Sequence, residues 1–132
     1  MNTFDLCGKQ EQLPEKARKW NKMWDLWAEG KGESPYAQLM TYQSEVNNGG
    51  HGQYFSNVNE AGDVRAEADA VLSILPELLK ENLQRAYEAY LVQGDHYDEQ
   101  SDAIFGECDD VFYEHERLIN AILEAYAATM ML

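Results

Sequence analysis

The sequence predicts an all-α fold, a single compact helical domain of about five to seven helices, on three observations. Apolar residues recur at spacings of three and four along most of the chain, glycine and proline punctuate those stretches, and no segment alternates with period two over the length of a strand. The 132 residues suit one domain over 1–132, because a chain of about 150 residues buries about two thirds of the surface it exposes when unfolded. With 45% apolar residues, three Trp, eight Tyr and four Phe, the composition supplies a core. Disordered acidic chains lack those aromatics.

A Trp-rich helix is expected over about 11–29, with Leu13, Ala17, Trp20, Trp24 and Trp27 on one stripe. Pro14 is tolerated in its first turn and Gly30 and Gly32 end it. Ser34-Pro35 reads as an N-cap and N1 pair for a second helix through Tyr36, Leu39, Met40 and Val46, which Asn47-Asn48-Gly49-Gly50 stops. A third carries Val64, Ala68, Val71, Leu72 and Leu75; Pro76 opens a fourth with Leu79, Leu83, Ala86, Tyr87, Tyr90 and Leu91, closed by Gly94. The last is expected from Asp109 or Asp110, acids suited to a positive helix N-terminus, through Phe112, Leu118, Ile119, Ile122, Leu123 and Tyr126. The three Trp match core spacing rather than a ligand platform.

The chain carries 24 acids against 10 bases, a net charge of −14. Residues 1–33 hold six of each and are neutral, so the remainder carries the whole excess. Within it Glu88, Asp95, Asp98, Glu99, Asp102, Glu107, Asp109, Asp110, Glu114 and Glu116 form a run of ten acids with no Lys or Arg among them. Neutralising phosphate takes Lys and Arg, so no direct nucleic acid and no anionic membrane is expected as a partner. A basic protein is. No window holds the about 20 apolar residues of a spanning helix, and Met1 to Gly8 has no leader pattern, so the chain reads as soluble and cytoplasmic. Cys7 and Cys108 fit neither a disulfide framework nor a zinc site and are read as reduced, with neighbouring acids raising their thiols.

The most unusual local sequence is Asn48-Gly49-Gly50-His51-Gly52-Gln53-Tyr54-Phe55. It has the glycines of a phosphate-cradling loop but no Lys, so a tight helix-to-helix turn is the better reading. Tyr54 and Phe55 are then expected in the core, and Gln53 or the Asn side chains on turn carbonyls. This element, with Asn57, Leu72-x-x-Leu75-Pro76-Glu77-Leu78, and Asp109-Asp110-x-Phe112-Tyr113 ahead of Leu118, Leu123 and Tyr126, resembles the DNA-mimic protein family over about 36–126. The resemblance implies an all-α fold, with Asn48, Gly49, Gly50, Gln53, Tyr54 and Phe55 as its structural signature. It also implies a homodimer and an acidic surface imitating duplex DNA.

No metal and no cofactor is expected. His96, Asp98, Glu99 and Asp102 cluster, but the window Asp95 to Gly106 lacks the glycine and glutamate of a calcium loop, and His115-Glu116 lacks the second His of a zinc helix. Ser44, Ser56, Ser73 and Ser101 have no nucleophile-elbow context, so no catalytic residue is assigned. The ten acids are therefore the candidate partner-binding residues. If helical, 29 residues span about 43 Å, over which one DNA strand places about 13 phosphates. The expected function is binding to the DNA-binding surface of a basic DNA-binding protein such as a transcription factor. An immunity-like or antitoxin-like inhibitor of a basic nuclease, and a small metal-dependent hydrolase, are the alternatives.

Overall fold

The apolar stripes fold into five helices in the computed structural model, which describes residues 13–132: α1 (Glu15–Ala28), α2 (Tyr36–Ala61), α3 (Val64–Leu72), α4 (Glu77–Gln93) and α5 (Glu99–Ala127). No strand occurs among the described residues. The long α5 is the spine, packing most extensively on α4, then on α2, and on α1 near its end. Its buried side is Ser101, Phe105, Cys108, Phe112, Ile119, Leu123 and Tyr126, spaced by three, four or seven residues, the period of one helix face. Tyr42, Tyr54, Phe55, Leu79 and Leu83 close the core against it. Tyr54 and Phe55 thus lie where the sequence placed them.

Caps explain several boundaries. Asp63 accepts from Ala66 N at 3.1 Å to start α3, and Asp98 accepts from Ser101 N at 2.8 Å to start α5. Gly94, at φ +59, follows α4. Trp20, Trp24 and Trp27 pack on the core, each ring edge to face with the next, and are only partly buried. No helix among the described residues is long and apolar enough to cross a membrane.

Four expected boundaries are corrected, the first being that α3 ends at Leu72, so Leu75 lies beyond it in the connection to α4. Ser34 does not cap α2, which begins at Tyr36 with Pro35 before it and no side-chain cap. The Asn47–Gly50 segment does not end that helix: the chain resumes helical geometry at once, and α2 runs to Ala61 across a kink at Gly49 and Gly50. The last helix starts ten residues before Asp109, since Asp98 supplies its cap and Phe105 and Cys108 extend the buried stripe upstream. The break between α4 and α5 is therefore short. Of the expected first helix, residues 11 and 12 and also Cys7 lie outside the described residues, and Leu13 lies ahead of α1.

Candidate interaction surface and the helix kink beneath it

The ten acids of the 88–116 run do not share one environment. Asp98 is the α5 cap. Asp109 is half-buried and faces the α2 kink. Glu116 lies in the α2–α5 seam, where it accepts from Gln43 Nε2 at 2.9 Å and Asn47 Nδ2 at 2.7 Å. Glu107 is exposed but paired with Arg85, which α4 brings from outside the run. The remaining six, Glu88, Asp95, Glu99, Asp102, Asp110 and Glu114, are exposed and stand in no ion pair among the described residues. Four of these lie on α5 at Glu99, Asp102, Asp110 and Glu114, spacings of three, eight and four that keep them on the solvent side, opposite Phe105, Cys108 and Phe112.

The kink is held by the acid that the stripe does not use. Gly50 sits at φ +83 with its α-carbon so close to Asp109 that an added Cβ would stand 2.5 Å from Asp109 Oδ2. Only glycine accommodates both demands. Asp109 Oδ1 accepts the His51 N–H at 2.8 Å, capping from α5 the helical segment that restarts in α2. The same oxygen lies 2.6 Å from His51 Nδ1, and His51 Nε2 lies 2.7 Å from the Tyr42 hydroxyl. Burial pushes the Tyr42 hydroxyl well above its ordinary range, with Tyr54, Cys108 and Asp109 adding to it. Tyr42 stays protonated, and in the tautomer that donates Nδ1–H to the Asp109 carboxylate Nε2 accepts from the Tyr42 hydroxyl. Tyr42 and His51 are both 0% exposed, and of the three groups only Asp109, with 23% of its side chain exposed, reaches the surface. Together the three hold the kink.

The seam around it is satisfied in the same way. Tyr113 donates its hydroxyl to Val46 O at 2.9 Å, tying α5 to the turn just ahead of the kink. Gln53 reaches Glu45 Oε2 at 3.3 Å and Asn47 reaches Glu116, so these amides bond carboxylates rather than the turn carbonyls expected of them. Cys108 is buried, its thiol pushed up to about 11 by burial first and by Asp109 and Glu107 after it, against a lowering by Arg85. Neighbouring acids are thus the lesser cause. Among the described residues no three His, Cys, Asp or Glu side chains are gathered as a metal would require; His96, Asp98, Glu99 and Asp102 do not converge.

Sequence reasoning missed the pairing of His51 with Asp109. The available signal was that the glycine element and the Asp-x-Phe-Tyr segment travel together in the resemblance, as they do if one packs on the other.

The family model for DMP19-like protein matches residues 31–130, which takes in α2 to α5, the kink, its Asp109 clamp and the whole acidic stripe. The chain belongs to the DMP19-like family. This corrects the family drawn from the sequence: the match is to the DMP19-like family and not to the DNA-mimic family that the glycine element resembles. The α1 helix falls outside the match. No curated protein and no solved structure matches the chain.

Proposed function

We propose that this DMP19-like chain is a cytoplasmic binding protein whose α5 face occupies the DNA-binding surface of a basic DNA-binding protein. The observation that carries the reading is the stripe of Glu99, Asp102, Asp110 and Glu114, exposed and free of ion pairs among the described residues. From Glu99 to Glu114 is about 22 Å at 1.5 Å per residue, a length over which one DNA strand carries six or seven phosphates, about 3.4 Å apart. Four carboxylates on one helix, with Glu88 and Asp95 beside its start, approach that density. DMP19 is itself a DNA mimic protein, which supports the same reading for a family member. Segregating like charge in this way destabilises the folded state through self-repulsion, so a bound basic surface relieves a tension already in the fold.

The test is retention of proteins from the native extract on the immobilised chain at low salt, run beside a variant with Glu99→Gln, Asp102→Asn, Asp110→Asn and Glu114→Gln. DNA-binding proteins retained by the wild type, released by added duplex DNA and lost from the variant support the proposal. Equal retention on both columns removes the stripe from it. Recovery of a nuclease instead of a transcription factor would keep the surface and change the class of partner.

A further inference from the structure

Where α1, α2 and α5 meet, a cleft of about 500 Å3 opens, lined by Trp20 and Trp24 of α1, Gln43, Asn47 and Asn48 of α2 and Asn120 of α5 among others. That volume lies within the about 300–1,000 Å3 of small-ligand sites. Among the described residues no Asp, Glu, Lys, Arg or His lines it, in a chain of net charge −14. Glu116, behind the lining, sets how the amides stand. Gln43 Nε2 donates to Glu116 Oε2 at 2.9 Å and to Asn120 Oδ1 at 2.8 Å, and Asn47 Nδ2 donates to the same carboxylate oxygen at 2.7 Å. Carboxylate and amide oxygens accept only, so each of these amides is held in one of its two flips, and the unused atoms are Gln43 Oε1, Asn47 Oδ1 and Asn120 Nδ2. Gln43 is 5% exposed, a buried polar side chain that lines a cleft. Its Oε1 bonds no group among the described residues and, unlike Gln38 Oε1, is not sealed from solvent. An acceptor placed so deeply is served by what enters the cleft.

Trp20 and Trp24 supply the apolar part. Both pack on the core and remain partly exposed, and both line the cleft. Neither indole N–H has a partner among the described residues, whereas that of Trp27 donates to Thr41 Oγ1 at 3.0 Å. A lining without charge selects against phosphate, carboxylate and ammonium ligands, which need a counter-charge when they leave water. Side-chain amides set a donor beside an acceptor, and neighbouring hydroxyls of a sugar ring match that pair by accepting from one atom and donating to the other. The C–H face of such a ring covers an indole face that water otherwise meets. A purine would need a parallel slot, and the Trp20 and Trp24 rings stand at 65° to each other.

We propose that the α1–α2–α5 cleft binds a neutral pyranose sugar, with Trp20 and Trp24 against its C–H face, Gln43 and Asn47 accepting from its hydroxyls, and Asn48 and Asn120 donating to them. This goes beyond the reading of the α5 face and does not depend on it. The experiment is a proton–nitrogen NMR titration of the full chain with methyl β-D-glucopyranoside and methyl β-D-galactopyranoside. Sorbitol, which has the hydroxyls without the ring, and adenosine, which has a planar base, are the controls. The expected result is saturable shifts of the Trp20 and Trp24 indole N–H and of the Gln43, Asn47 and Asn120 amides with at least one glycoside. The affinity should not change with salt, because no charge is paired. Asn48→Ala removes an exposed side chain that bonds nothing among the described residues, so the fold stays intact, and binding should weaken about five-fold, as loss of one hydrogen bond does. Trp24→Leu, with helicity checked by circular dichroism, should abolish saturation, and Glu60→Gln, exposed further along α2, should leave it unchanged. Tighter binding of cellobiose or lactose than of the matching monosaccharide identifies a glycan chain as the natural occupant; equal affinity identifies a free sugar. Non-saturating shifts with both glycosides, the same shifts with sorbitol or adenosine, or an unaltered response in Asn48→Ala or in folded Trp24→Leu would overturn the proposal and leave the cleft to water.

Discussion

Replacing Asp109 by Ala removes one oxygen that serves two donors of His51, its backbone N–H at 2.8 Å and its ring Nδ1 at 2.6 Å. His51 is wholly buried, so water does not replace the lost acceptor. Leaving a buried donor unmade costs about 1–3 kcal/mol, and loss of a helix cap about 0.5–2 kcal/mol. The two effects overlap at the backbone N–H, so the expected loss is about 3 kcal/mol. In a domain of this size each kcal/mol moves Tm by about 3–4 °C, so Asp109→Ala should melt about 10 °C below the wild type. Removing a negative charge from so acidic a chain works in the other direction, and the control for that is Asp110→Ala. Asp110 is the exposed neighbour, in no ion pair among the described residues. Its removal should change stability by no more than about 0.5 kcal/mol. Thermal unfolding followed by far-UV circular dichroism on both variants decides the matter. A Tm for Asp109→Ala within about 2 °C of that for Asp110→Ala would refute the clamp, and the kink would then have to be held by packing alone.

Gly50→Ala should destabilise by about 2 kcal/mol in urea titration, because it combines positive φ with a Cβ 2.5 Å from Asp109. Gly106→Ala, inside α5 with nothing within 4 Å of an added Cβ, should instead stabilise by up to about 1 kcal/mol. Buried Cys108, with its thiol pushed up to about 11, should resist alkylation at pH 8 in the folded chain and react fully in denaturant, read by mass spectrometry of its peptide. Cys108, Tyr42 and Tyr54 all titrate higher folded than unfolded, so the stability they contribute is complete below about pH 9 and declines as pH rises towards 11 and beyond; urea midpoints measured from pH 8 to 11 should fall steadily. Light scattering at moderate salt should return a dimer. A strict monomer at high concentration would withdraw the doubled acidic surface.

Helix content and most of the core were legible because apolar spacing reports a helix face directly. The Leu79–Leu91 stripe of α4 and the Phe112–Tyr126 stripe of α5 both reappear as buried or core-packed faces, Leu91 excepted. The boundaries that failed were those decided by distant groups. Asn47–Gly50 reads locally as a stop, and becomes a kink only because Asp109, 58 residues away, caps His51. The start of α5 was placed late because Gly94 to Gly106 reads as a loop, whereas Ser101 and Cys108 face α4: Ser101 Oγ donates to Ala89 O at 2.9 Å, and Asn82 Nδ2 to Cys108 O at 2.9 Å. The acids were legible as a number and not as a surface. Composition cannot distinguish Asp110, facing solvent, from Asp109 beside it, facing a buried histidine, because a helix turns about 100° between them. Nor did it show that Arg85 reaches Glu107 from outside the base-free run.

The stripe is tested most directly on a DNA-binding protein recovered by this chain, using a labelled duplex carrying that protein's site and following fluorescence anisotropy as the chain is added at low salt. The wild type should displace the duplex, with a potency that falls steeply as salt rises. Exposed ion pairs contribute about 0.2–1 kcal/mol each, so the variant neutralised at Glu99, Asp102, Asp110 and Glu114 should need about ten-fold more protein or beyond. Displacement by wild type and variant at the same concentration, or binding that leaves the duplex in place, would contradict mimicry of DNA by the α5 face.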